Sequence, residues 1–348
     1  MAELLKVSSS PHIFARDSIE RIMVTVLVAL APAVVAAGYF FGLRALFIIL
    51  LAVASCVATE ALCKWLRGVP GTAKDFSAAV TGVLLAFNLP ANAPWWMVVL
   101  GSVFAIAIVK ELFGGLGYNI WNPALAARAF LLASWPTSMI SSDKFPPPSG
   151  GTLSGLDLEA LTQATPLQLI KNGVAPVLAD KASYTAEQVA EAGRVLERIS
   201  SGDYVQSLLW GNIGGVLGET AGVMLILGGV LLIVKGYIDW RVPVGYLGTV
   251  AVLAWVFGGP QGYFTGNVLF HVMGGGLLLG AFFMATDMVT TPVTPGGKWI
   301  FAIGCAVFTM LIRIKGGYPE GVSYAILLMN TATPLIDLYT KPRIYGKV

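Results

Sequence analysis

The sequence predicts an all-α polytopic membrane protein of about ten transmembrane helices in two inverted five-helix repeats, with a small extracytoplasmic module between spans 5 and 6. Three observations carry that prediction. The 348 residues are 56% hydrophobic and 12% charged, whereas a water-soluble domain carries about 25% charged residues. Ten apolar runs succeed one another, the longer ones matching the roughly 20 residues that cross a bilayer. Two stretches also resemble each other at an offset of 204 falling to 202 and then 199 residues: Val103-Phe104, Gly114-Gly115 and Asn122-Pro123-Ala124 against Val307-Phe308, Gly316-Gly317 and Gly321-Val322-Ser323.

Residues 1–20 are polar and lead into two successive apolar runs, which argues against a cleaved signal peptide. The runs lie at roughly 22–41, 45–66, 76–90, 95–113, 122–136, 213–234, 242–259, 265–286, 298–314 and 320–338. This divides the chain into a cytoplasmic segment 1–21, a first membrane half 22–136, an extracytoplasmic module 137–212, a second membrane half 213–338 and a cytoplasmic tail 339–348. Five spans per half is odd, so the halves are expected upside down relative to one another. Each copy of the repeat follows a proline-broken span, Ala86 to Pro90 in one and Ala285 to Pro292 in the other. Inverted repeats with broken helices place binding sites where the halves meet.

An even number of spans puts both termini on one side, and basic residues decide which. With the N-terminus inside, the inner segments hold thirteen Lys and Arg, Lys64 and Lys110 among them, and the short outer loops hold Arg44, Arg313 and Lys315. Cytoplasmic termini and an outer module follow. The module opens on Pro146-Pro147-Pro148-Ser149-Gly150-Gly151. Thr165 reads as the N-cap of a short helix, Pro166 to Asn172, stopped by Gly173, and with Gln168 it forms an ordinary capping box. The free N–H groups of such a helix start also favour an anion. An amphipathic helix is expected from Ala186 to about Ser200, capped by Thr185 and Gln188, with Val189, Ala192, Leu196 and Ile199 on its apolar face.

Six ionisable residues fall within or at the ends of apolar runs: Glu60, Arg128, Glu219, His271, Asp287 and Arg313. Each costs about 2.5–3.5 kcal/mol there unless it finds a partner or water. One reading is a hydrophilic route for cations, with Glu60, Glu219 and Asp287 as stations. The other is that acids and bases pair to orient helices, Arg128 and Arg313 supplying the cations. His271 reads as a histidine bonded to a neighbouring carbonyl. Cys56, Cys63 and Cys305 are scattered through apolar runs, too few for a disulfide framework or a four-thiolate site. Gly274-Gly275-Gly276 with Gly280 misses a dinucleotide fingerprint by one residue and reads as close helix packing. No metal site and no nucleic-acid patch are expected.

Thr162-Gln163-Ala164-Thr165-Pro166-Leu167, with Glu159 six residues before Thr165, resembles the covalent flavin attachment motif, in which the final threonine carries FMN through a phosphoester. It departs from that pattern at Gln163 (usually glycine), Thr162 (more often serine) and Glu159 (usually aspartate), and keeps Ala164 and Thr165. Further stretches, Ser10-Pro11-His12, Gly117 to Ala124, Gly218-Glu219-Thr220, Ala281 to Asp287 and Gly321 to Asn330, extend the likeness over nearly the whole chain. By these the chain resembles the family of Rnf electron-transport complex D subunits and the related B subunits of sodium-pumping NADH:quinone oxidoreductase. The resemblance implies a subunit of the prokaryotic cytoplasmic membrane, modified by a flavin transferase, with covalent FMN on Thr165 and a second, noncovalent riboflavin among the helices. It further implies association with other Rnf subunits in a complex exchanging electrons between ferredoxin and NAD while moving Na+ or H+. Asn119 and Asn122, at the interrupted span, are candidates for polar contacts to the riboflavin, or for capping the helix before Pro123. A secondary transporter without a redox cofactor fits the ten spans, the inverted repeats and the midplane acids equally well.

Overall fold

The computed structural model describes residues 17–69, 75–140, 166–179, 184–199, 201–211, 215–218, 222–259, 262–318 and 320–341. Thr165 and Glu219 lie outside the described residues. Those described form helices joined by turns, and no strand occurs among them beyond an isolated bridge between Pro90 and Val216.

Helix α1 (Ile19–Phe41) starts where the Ser18 hydroxyl accepts the Arg21 N–H at 3.2 Å and ends at Gly42, whose φ of 74° lets the chain turn at once into α2 (Leu43–Leu66). Then come α3 (Ser77–Phe87), α4 (Trp95–Val103), which runs on as a π-helix over Phe104–Glu111, and α5 (Pro123–Ser134) with the short α6 (Pro136–Ile140). The module supplies α7 (Pro166–Gln168), a π-helical stretch Leu169–Val174, α8 (Ala175–Ala179), α9 (Ala186–Ile199) and α10 (Gly202–Trp210). The second half contributes α11 (Gly222–Val234), α12 (Arg241–Phe257), α13 (Val268–Met273), α14 (Leu277–Leu279) continuing as a π-helix Gly280–Met284, α15 (Pro295–Lys315) and α16 (Val322–Tyr339). Helices α1, α2 and α15 are long and apolar enough to cross a membrane, and α3, α5, α11 and α12 are shorter apolar helices.

The packing is that of a protein whose solvent is lipid. On α1 four of the five buried positions are alanine, Ala29, Ala33, Ala36 and Ala37 beside Leu30, whereas Val28 and Val35 face outward. Small residues let backbones approach closely, and the gain is packing rather than escape from water. A Cβ on Gly228 of α11 would collide with the Ala29 carbonyl oxygen, and one on Gly82 of α3 would lie 2.6 Å from the Val53 Cα. Within the first half α2 packs on α3 and α4; within the second, α12 packs on α15, which packs on α16. The halves join where α1 meets α11 and α5 meets α16.

The connection into the second half crosses the end of α3. Leu217 N–H donates to Leu89 O at 3.2 Å and Gly218 N–H to Phe87 O at 2.9 Å. A Cβ on Gly218 would lie 2.6 Å from the Phe87 Cβ, so this crossing requires glycine.

Three local expectations are corrected. Gly173 does not stop the module helix: a π-turn absorbs it and the helix resumes at Ala175, with Pro176 placed where a missing N–H is tolerated. The run Gly274 to Gly276 is a turn that breaks the apolar run 265–286, with Gly275 and Gly276 at φ near 70° and 65°, which a side chain would oppose. Close packing still holds for Gly280, whose Cβ would collide with Val322, and for Gly275, whose Cβ would lie 2.3 Å from Leu167. Third, α10 precedes the sixth apolar run as a separate helix, capped by Ser201 accepting the Tyr204 N–H at 3.4 Å. The amphipathic helix α9 starts and caps as expected, Gln188 N–H donating to Thr185 Oγ1 at 3.3 Å, and it buries Ala192 and Ile199. The module rests on the second half through Leu167, Ile199, Leu208 and Phe270.

Candidate functional site

The first and second halves meet at a cavity of about 120 Å³. Its wall takes residues from α1, α3, the π-helix after α4 and the 116–124 turn on one side, and from the end of α11 and the 282–289 break on the other. The polar groups converging there are Ser77, Lys110, Asn119, Asn122, Thr286 and Asp287, set among apolar side chains such as Val80, Phe282 and Phe283. Binding pockets typically combine apolar walls with a few placed polar groups in this way.

Asn122 is held by its own helix. Its Oδ1 accepts the N–H groups of Ala124 and Leu125 at 3.1 and 3.3 Å, with Pro123 in the first position, so the capping reading holds. Its Nδ2 donates across the interface to the Met284 carbonyl at 3.4 Å. With its amide oriented to satisfy both ends, Asn330 of α16 accepts the Asn122 N–H at 3.2 Å. Asn119 donates to the Trp121 carbonyl at 3.1 Å. Asp287 sits in the break after the second-half π-helix, where the Val289 N–H and Thr290 Oγ1 donate to its two carboxylate oxygens, each at 3.3 Å. Of the residues singled out in the sequence, the structure thus unites Asn119, Asn122 and Asp287 in one cavity.

Glu60 stands one bond behind that wall. Lys110 Nζ donates to Glu60 Oε1 at 2.8 Å and to Ser77 Oγ at 2.6 Å, and Ser77 Oγ donates to Asp75 Oδ1 at 2.7 Å. Lys64 Nζ lies 3.4 Å from the same Glu60 oxygen, and Arg67 pairs with Glu111 at 3.0 Å. Lys64 and Lys110, assigned from sequence to inner segments, are therefore both buried, at 8% and 2% exposure. The π-helix explains this. It carries Lys110 to Glu60 of α2 and Glu111 to Arg67 just past the end of α2. Acid–base pairing is accordingly what the structure shows for Glu60, and the arrangement leads a polar chain from half-buried Asp75 to the cavity. Sequence reasoning did not single out Lys110 as a site residue. Its signal was present, a Lys-Glu pair inside the apolar run 95–113.

The remaining charges lie away from the cavity. Arg128 donates to Asn88 Oδ1 at 2.8 Å and pairs with Glu320, tying α5 to the broken end of α3 and the start of α16. Arg313 donates to the carbonyls of His271 and Gly274 at 2.5 and 2.8 Å and closes the glycine turn. His271 bonds the Gly258 carbonyl through Nε2 at 3.2 Å, as its sequence context suggested. Lys171 of the module donates to the carbonyls of Ile312 and Tyr318 at 3.2 and 2.7 Å, and burial pushes its ammonium below the usual lysine range. At the other end, between α11 and α12, burial pushes the Asp239 carboxyl up. The Arg241 N–H and the Lys298 ammonium, 2.9 Å away, outweigh that and hold it below its ordinary value.

Fold and site together define a polytopic helical membrane protein with a charged cavity between two broken-helix halves. Residues 6–346 match the model of the NQR2, RnfD, RnfE family, and the chain belongs to that family. It is 50% identical to the D subunit of the Na(+)-translocating ferredoxin:NAD(+) oxidoreductase complex of Acetobacterium woodii, over 98% of this chain and 95% of that one. It is 44% identical to the D subunit of the proton-translocating ferredoxin:NAD(+) oxidoreductase complex of Clostridium ljungdahlii, over 99% and 96% of the two chains. The D subunit of the ion-translocating oxidoreductase complex of Stutzerimonas stutzeri is 40% identical, over 95% and 93%.

Proposed function

We propose that this chain is the flavin-carrying membrane subunit of an Rnf-type ion-translocating ferredoxin:NAD+ oxidoreductase, with FMN on Thr165 and riboflavin in the cavity between the halves. The observation that carries the reading is the convergence of Asn119 and Asn122, from the 116–124 turn, with Asp287, from the second-half break, on one cavity between the halves. The donor set fits an uncharged flavin: the second amide hydrogens of Asn119 and Asn122, beyond those given to Trp121 O and Met284 O, can reach a polar ring edge, and Phe282 and Phe283 supply apolar wall. Lys110 is already engaged by Glu60 and Ser77, and Asp287 would repel a phosphate. A bound flavin supplies one- and two-electron redox chemistry, and the chain holds it in place and sets the charge around it.

In this reading Glu60, Glu219 and Asp287 belong to a cation route that enters beside Asp75, Ser77 and Lys110, and the transported ion is Na+ or H+. The matching contacts of α2 on α4 and of α12 on α15, with α1 on α11 and α5 on α16, support ten spans in two inverted repeats. Cytoplasmic termini then put the cavity toward the inner face and residues 137–212 outside. Neighbouring Rnf subunits deliver and remove electrons, and a flavin transferase modifies Thr165 during maturation.

The test is a denaturing gel and an intact-mass measurement on the chain purified from a host that has the transferase. A fluorescent band with the added mass of an FMN phosphoester is expected, absent in Thr165→Ala. A dark wild-type band of unmodified mass would instead favour a transporter without redox cofactor.

A further inference from the structure

The stripes of side chain that line the cavity between the halves lead, one turn beyond it, to a buried arginine. On α3 the lining residues are Ser77, Val80, Thr81 and Leu84, and the next position on that face is Asn88. On α5 they are Pro123 and Ala124, and Arg128 lies one turn, about 6 Å, further along the same face. There the two stripes close on each other, Arg128 Nη1 donating to Asn88 Oδ1 at 2.8 Å. Asn88 is itself fixed: its Nδ2 donates to the Leu84 carbonyl at 2.7 Å and lies 3.6 Å from the Met284 sulfur of the second half. On the far side of this layer Arg128 Nη2 pairs with Glu320, just before α16, where Lys171 of the module holds the Tyr318 carbonyl.

The cavity and the module end of the bundle are thus separated by one guanidinium with different neighbours on its two sides. Toward the cavity it meets a neutral amide, which orients the charge without cancelling it. The compensating carboxylate stands behind it. A guanidinium keeps its charge at every physiological pH, and with the Arg128 and Glu320 side chains 8% and 12% exposed, mobile counter-ions screen it little. A fixed positive charge across a narrow polar path turns cations back, as arginines do in selective pores.

We propose that Arg128 is the cation barrier at the closed end of this cavity, stopping ions that enter beside Asp75 and Ser77 from leaking on toward the module side. The inference rests on the reading that the cavity lies on a cation route. It adds where that route is closed and which charge closes it.

The experiment is passive ion leak through the full-length chain in sealed liposomes, with sodium efflux and potential-driven proton entry each followed by an enclosed dye. Expected is a tight wild type and a several-fold faster leak of sodium or protons in Arg128→Gln. Arg128→Lys and Glu320→Gln should stay tight, since both keep the positive charge. Adding Asp287→Asn to Arg128→Gln should slow the leak again, because the path runs through the cavity. A tight Arg128→Gln chain overturns the barrier. So does Glu320→Gln leaking as fast as Arg128→Gln, the result of a pair that only ties helices together, and so does a leak that Asp287→Asn leaves unchanged. Should Arg128→Gln fail to accumulate, Asn88→Asp takes its place under the same criteria, because it sets a carboxylate against the cavity side of the guanidinium at nearly unchanged size. The route is read separately, from redox-driven ion uptake by the assembled complex carrying Asp287→Asn. Loss of uptake together with a tight Arg128→Gln removes the barrier and leaves the route standing, whereas unchanged uptake removes both.

Discussion

Replacing Lys110 by methionine tests whether the charge cluster behind the cavity is one electrostatic unit. Lys110 Nζ and Glu60 Oε1 are 2.8 Å apart with side chains 2% and 4% exposed, a Coulomb attraction of about 6 kcal/mol at an effective dielectric near 20. Part of that is offset because methionine needs no desolvation, and the net cost of breaking such a buried pair is about 3–5 kcal/mol. Lys64, 3.4 Å from the same oxygen, still neutralises Glu60 in the variant, which places the expected loss at the lower end, about 3 kcal/mol or on the order of 100-fold in the unfolding equilibrium. Glu60→Gln breaks the same Lys110 contact, so the double variant should lose about 2 kcal/mol less than the two single losses added together. The assay is a double-mutant cycle on reversible unfolding of the purified chain in mixed micelles with increasing SDS. Single losses under about 1 kcal/mol that simply add would refute the reasoning, since they would mean that water or a mobile ion already screens the pair.

Gly218→Ala should lower the unfolding midpoint by an amount equivalent to about 1–3 kcal/mol, because the new methyl would have to displace Phe87, 2.6 Å from its ideal position; thermal unfolding in detergent measures it. Asp239→Asn should show a pH-dependent stability difference. The folded carboxyl titrates below its unfolded value, so its contribution is fully present above the unfolded pKa and is lost as pH falls through the folded one. The gap between wild type and variant should therefore be constant from about pH 5 to 8 and shrink below about pH 4, and a gap that instead widens on acidification would contradict the ion contacts to Lys298 and Arg241.

Much of this molecule is legible in one dimension because a bilayer imposes a one-dimensional rule. Every backbone polar group in hydrocarbon must be satisfied within its own segment, so apolar runs and their proline and glycine interruptions announce where helices begin, break and end. The start of α5 at Asn122-Pro123 and the two breaks after Phe87 and Met284 follow from local chemistry of this kind. So does the capping of α9 at Thr185.

What the sequence could not supply was the partner of each buried charge, because pairing is set by which faces meet across 33 or 50 residues of chain, as for Lys110 with Ser77 and Glu60. A π-helical turn shifts the face that Lys110 and Glu111 present, and nothing in a 3.6-residue period foretells that shift. The union of Asn119 and Asn122 with Asp287 around one cavity likewise exists only once α1 has packed on α11 and α5 on α16. Residue type and order were enough to establish the class of protein, its family and its chemically suspect residues. Which of those residues face one another was settled by the packed fold, because in a lipid-solvated bundle it depends on close contacts between small side chains far apart in the chain.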